Sequence, residues 1–169
     1  MKRFVLALVL SFALSAPAAY AAQALPTAGV LAPGKSLGGL KIGMTMDQVK
    51  TLWGSQYKLC PKTDCKNQIV WYYIYARGEP LGAAVRFRNN RVSAVFTLGS
   101  PVGWHTSEGL GVGEQIDKAN SLYGQLAWHV CIGYGAMSMR TGNTVTSIYT
   151  TGLVVYGFAI TALNESVCQ

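Results

Sequence analysis

Few side chains in this chain of 169 residues could carry chemistry. His105 and His129 are its two histidines, the groups able to act as bases near neutral pH. His105 stands in Gly-Trp-His-Thr and His129 in Ala-Trp-His-Val beside Cys131, and neither adjoins a known nucleophile motif. Asp47 and Asp117 occupy matching places near the start of two short helices, which reads as helix-dipole chemistry and packing. An active site normally breaks such symmetry, so a non-enzymatic chain without a cofactor is expected. Cys60-x4-Cys65 is crowded by Lys62 and Lys66 and has no second ligand pair at zinc spacing, so no metal site is expected.

Binding chemistry is richer. In Ile69-Val-Trp-Tyr-Tyr-Ile-Tyr75, the two-residue period of a strand puts Trp71, Tyr73 and Tyr75 on one face and Val70, Tyr72 and Ile74 on the other. If the aliphatic face is core, Trp71, Tyr73 and Tyr75 become anchors on an open sheet face. If the helix residue Trp53 packs over them, they are core themselves. Arg86, Arg88 and Arg91 form a second candidate, a basic outward face suited to an acidic protein surface or an anionic polymer. Otherwise they are solubilising charges that protect an edge.

These residues are positioned by a repeat. Gly39–Gly54 (GLKIGMTMDQVKTLWG) returns as Gly109–Gly124 (GLGVGEQIDKANSLYG) at an offset of 70 (109 minus 39), with six of sixteen positions identical. Each copy reads as an entry turn at Gly43 or Gly113, then a helix of two to three turns ending at Gly54 or Gly124. Thr45 with Gln48 has the spacing of a capping box. Met46, Val49, Leu52 and Trp53 in one copy, and Ile116, Ala119, Leu122 and Tyr123 in the other, make an apolar face. Strands follow. Leu81–Arg88 and Arg91–Leu98 flank an Asn89-Asn90 turn, pairing Phe87 with Val92, Val85 with Ala94 and Ala83 with Phe96. In the second half, Ala127–Arg140 reads as one longer strand-like segment, and Leu153–Leu163 follows a Gly142-Asn143 turn. The expected fold is α+β: two tandem units of a short helix and three antiparallel strands, helices on one sheet face and the other face open.

The flanks fix the compartment. Residues 1–21 have a basic start, an apolar run and an Ala-Tyr-Ala cleavage pattern, as in a signal peptide. Residues 22–35 read as a flexible lead-in, 36–105 as the first repeat and 106–169 as the second. No cysteine follows the cleavage point, so a secreted monomer without stable membrane insertion is expected. The net charge of +7 falls to +5 once Lys2 and Arg3 are removed (12 basic against 7 acidic groups), but export disfavours nucleic acid as a partner. Four cysteines in an exported chain imply two disulfides among Cys60, Cys65, Cys131 and Cys168, with three connectivities open. Cys60–Cys65 with Cys131–Cys168 would give one bridge per repeat.

Leu40-Lys-Ile-Gly-Met-Thr-x-x-x-Val49, ending in Leu-Trp-Gly54, resembles the helix-opening signature of the outer-membrane lipoprotein SmpA/OmlA domain. Two such units in a small exported chain, with one disulfide each, resemble the β-lactamase inhibitory protein family. That resemblance implies a concave sheet surface clamping a target enzyme, with no inhibitory contact transferable to a residue here. The expected function is an exported protein-binding module, an inhibitor of an extracellular hydrolase such as a β-lactamase in its sharper form. The alternative is a cell-envelope or structural protein holding an anionic polymer or envelope partner on its basic face.

Overall fold

The computed structural model describes residues 28–65, 68–73, 82–99 and 103–169. Among the described residues the chain is mostly β with two helices and two sheets, an α+β arrangement. In order, its elements are β1 (Gly29–Ala32), β2 (Ser36–Leu37), α1 (Met46–Trp53), β3 (Lys58–Leu59), β4 (Ile69–Tyr72), β5 (Gly82–Arg88) and β6 (Arg91–Leu98). There follow β7 (Trp104–Thr106), α2 (Ile116–Tyr123), β8 (Ala127–Cys131), β9 (Tyr134–Thr141), β10 (Thr144–Thr151) and β11 (Val154–Ala162). The signal-peptide reading of 1–21 lies outside the described residues.

The large sheet runs β3-β4-β5-β6-β11-β10-β9-β8, antiparallel throughout. Its two middle strands are the last strand of each half. The segment 127–140, read as one strand, is two: Cys131 pairs with Tyr134 across a tight turn, so four strands follow each helix. A three-stranded sheet, β2-β1-β7, joins the entries to the two helices. Its centre, β1, lies in the lead-in expected to be flexible. Val30 and Leu31 pair with β7, and Leu31 is fully buried, so this part of 22–35 is a structural strand.

The entry elements repeat in their hydrogen bonds. Gly43 N–H donates to Val92 O and Val92 N–H to Met44 O; Gly113 N–H donates to Val155 O and Val155 N–H to Glu114 O. Gly43 and Gly113 hold φ of 87° and 89°, a left-handed conformation that glycine adopts without Cβ strain. Thr45 caps α1 as its sequence predicts. Gln48 N–H donates to Thr45 Oγ1 (3.2 Å), and Gln48 Oε1 accepts from Thr45 N–H (2.8 Å). α2 begins at Gln115, whose side chain makes no cap bond.

Core forms on both faces of the large sheet. On one face, Val49, Trp53 and Ala119 from the helices join Trp71, Tyr73, Phe87, Val95, Ile148 and Phe158. On the other, Val70, Ala84, Ala94, Phe96, Tyr149 and Ala159 form a second cluster. The Asn89-Asn90 turn forms with φ of 51° and 59°, the left-handed pair of a two-residue hairpin. Beyond Phe87–Val92 the register shifts by one residue, pairing Arg86 with Ala94, Val85 with Val95 and Ala84 with Phe96. The expected Val85–Ala94 and Ala83–Phe96 pairs are thereby corrected. Because side chains alternate, the bulge moves Ala94 and Phe96 to the face opposite the helices, which consequently has a core of its own.

Candidate functional site

The expected anchors are where the helices need volume. Trp71 and Tyr73 are almost fully buried in the helix-side cluster. Tyr57 stacks on Trp71 at 3.9 Å and 7°, and Trp53 meets the Tyr73 ring edge-on at 5.2 Å. Tyr73 Oη donates to Gly54 O (3.2 Å), at the end of α1. The rings of Trp53, Tyr57, Trp71 and Tyr73 pack together between α1 and the sheet. The open-face placement of Trp71 and Tyr73 is therefore corrected. Tyr75 lies outside the described residues.

The three arginines are not a free basic face either. The side chain of Glu165 is 2% exposed and sits against two of them: Arg86 Nη1 lies 3.4 Å from Oε2 and Arg88 Nη2 2.9 Å from Oε1. Arg91 Nη1 donates to Gly43 O (3.0 Å), tying β6 to the entry turn of α1. A buried carboxylate between two guanidiniums cancels much of the field expected of this surface. Glu165 escaped the sequence reading, although it is the only acidic residue after Asp117. Two arginines at i and i+2 on one strand face needed a counter-charge, and that acid was available.

Glu165 belongs to a tail, residues 163–169, that leaves β11 and crosses the sheet face away from the helices. Tyr149 Oη donates to Val167 O (2.8 Å), and Tyr134 Oη donates to Gln169 O (2.8 Å). The Cys131–Cys168 disulfide fastens the tail to β8, while Cys60–Cys65 closes the loop between β3 and β4. Of the three connectivities, this is one bridge in each half. Burial holds the Tyr149 phenol well above its ordinary pKa, and Tyr134 is raised by the same cause against an opposing hydrogen bond from Gln169.

What remains open is a groove of about 720 Å³ between the Cys60–Cys65 loop and the tail. Tyr72, Phe96 and Leu98 line it with apolar surface, and Arg86, Lys58 and Gln68 add polar groups. The Arg86 guanidinium, paired with Glu165, lies over the Phe96 ring at 5.9 Å, so a polar group and an aromatic ring meet in the groove's lining. The groove thus combines an apolar lining with a few polar groups, the composition of a recognition pocket.

The two histidines sit apart from it. His105, on β7, has Nδ1 3.2 Å from Gly103 O. His129, on β8, has Nε2 2.7 Å from Oγ of Ser138 on the neighbouring strand, and Ser138 is buried. Asp47 pairs with Lys50 at 3.4 Å on the surface of α1. Among the described residues no group of three His, Cys, Asp or Glu side chains is placed to hold a metal ion, and no helix is long and apolar enough to cross a membrane. No protein-family model, curated protein or solved structure matches the chain.

Proposed function

We propose that this is an exported protein-recognition module, and that the groove framed by the Cys60–Cys65 loop and the disulfide-fastened tail receives a segment of its partner. The observation that carries this reading is the groove's lining of Tyr72, Phe96 and Leu98 beside Arg86, an apolar floor held open by disulfides at its rim. Rigid walls reduce the ordering cost of binding, which is where a small interface gains affinity. Two disulfides fit an oxidising compartment, in keeping with export.

The finer architecture is read as two related helix-on-sheet units sharing one sheet. The paired hydrogen bonds of Gly43 with Val92 and of Gly113 with Val155 support it, as does the mirrored strand order. That plan is what the resemblance to β-lactamase inhibitory proteins implies, so the sharper proposal is inhibition of an extracellular hydrolase. Contacts would come from the groove and its exposed rim residue Leu59, in place of Trp71 and Tyr73. The pairing of Arg86 and Arg88 with Glu165 weighs against polymer binding through a basic face.

The test is titration of the oxidised protein against a panel of serine β-lactamases, following a chromogenic substrate. Stoichiometric inhibition that survives high salt and is lost in Leu59→Asp supports recognition through the groove rim. Absence of inhibition at micromolar protein removes the hydrolase form of the proposal.

A further inference from the structure

Beside the groove lies a smaller cavity of about 280 Å³. Gln68 and Arg86 line both, so the two adjoin, and Arg88, Asn89 and Glu165 line only the smaller one. The strand register sets the distance between them. Tyr72 pairs with Ala84, so Arg88 stands four residues further along β5 than the level of Tyr72 (88 minus 84). At roughly 3.4 Å per residue, the strand position of this arginine is about 14 Å from that of the aromatic lining.

The smaller cavity is short of negative charge. Two arginines meet one carboxylate there, so one positive charge is left over. The Glu165 side chain is sealed, with 2% exposed, whereas 49% of the Arg88 side chain stays accessible. Acceptors are short as well: Arg86 Nε is buried and has none among the described residues. Each guanidinium carries five N–H donors, more than one shared carboxylate takes up.

Given that the groove receives a segment of the partner, we infer that this segment is extended and carries a large apolar side chain with an aspartate or glutamate about four residues away. The apolar side chain lies on Tyr72, Phe96 and Leu98, and the carboxylate meets the accessible part of Arg88 in the smaller cavity. Charge selects the acid. A neutral segment leaves the extra cation unmatched, and a basic one is repelled. Polar groups along the groove, Lys58, Gln68 and Ser166 among them, suit a main chain better than a hydrocarbon ligand. The protein's own tail shows the same mode in cis. It lays Glu165 against these arginines, while Tyr149 and Tyr134 donate to its carbonyls at Val167 and Gln169.

Random linear dodecapeptides displayed on phage and selected on the oxidised protein supply the ligand. The enriched sequences should carry an aromatic or large aliphatic residue with Asp or Glu roughly three to five positions away. A binder made as a fluorescent peptide should lose at least about fivefold in affinity when its acid becomes the amide, the size of one partly buried charge pair. On R88Q the same peptide change should matter by less than about twofold, and L59D should weaken both peptides. Should R88Q fail to fold, the peptide change on the wild-type protein still decides. Binding that L59D weakens but that ignores the acid, or an acid that matters equally on R88Q, overturns the inference and leaves the groove reading standing. No enriched peptide, or binders indifferent to L59D, overturns both.

Discussion

At Gly157 the absence of a side chain is a packing requirement. A Cβ there would stand 2.0 Å from the carbonyl oxygen of Thr97, a backbone atom in the middle of the large sheet that cannot swing aside. Gly157→Ala is expected to cost roughly 1–3 kcal/mol, the range for overpacking a close-packed core. Urea denaturation should show a lower midpoint with an unchanged m-value, and a midpoint within error of wild type would mean that β11 and β6 are less closely apposed than described. No spacing in the sequence announces this contact, because it joins positions sixty residues apart (157 minus 97). The same holds for the bulge beside Arg86, where one unpaired residue sent Ala94 and Phe96 across the sheet. Local signals were legible: Asn89-Asn90 forms its turn and Thr45 its capping box, since each depends on residues within hydrogen-bonding reach along the chain.

The two helices carry the same pattern with different end chemistry. In α1 the Thr45 hydroxyl satisfies an otherwise orphaned N–H, whereas Gln115 at the start of α2 has no such bond. Glu114 ties the entry turn to the helix: Oε2 accepts from Gly111 N–H at 2.6 Å, and Lys118 Nζ lies 2.7 Å from Oε1. Thr45→Ala should therefore destabilise by about 1 kcal/mol, and Gln115→Ala by no more than a few tenths. Equal losses by thermal melting would show that the hydroxyl bond contributes nothing specific. Periodicity overcounted the buried face of each helix. Leu52 and Leu122 are exposed because consecutive helix positions differ by about 100°, so each points well away from the core residue that follows it. The tail was invisible at this scale. Residues 163–169 have no element of their own, and Cys168 alone hinted that the segment returns to the sheet.

For the whole molecule, the repeat made an α+β chain of antiparallel strands legible, but not which sheet face stayed open. Helices on one side suggested solvent on the other, yet that side holds a second core under the tail, and tyrosines lie in both layers. Tyr73 is confined under Trp53, and Tyr149 is fully buried beneath the tail. Burial pushes each phenol well above the ordinary range, because a phenolate there would lose its water. In the unfolded chain both ionise near pH 10. The folded state therefore keeps protons that the unfolded state releases. The associated stability is intact below about pH 10 and falls as pH rises beyond it toward the folded values. Each phenol's slope rises toward about 1.4 kcal/mol per pH unit only once its unfolded form is fully ionised, so the pair should remove roughly 2 kcal/mol between pH 10 and 11. Absorbance at the tyrosinate band should rise in two stages: accessible tyrosines titrate first, and the buried pair follows together with loss of the circular dichroism signal. A single smooth titration of every tyrosine with ellipticity intact would mean that neither layer excludes water as the packing implies.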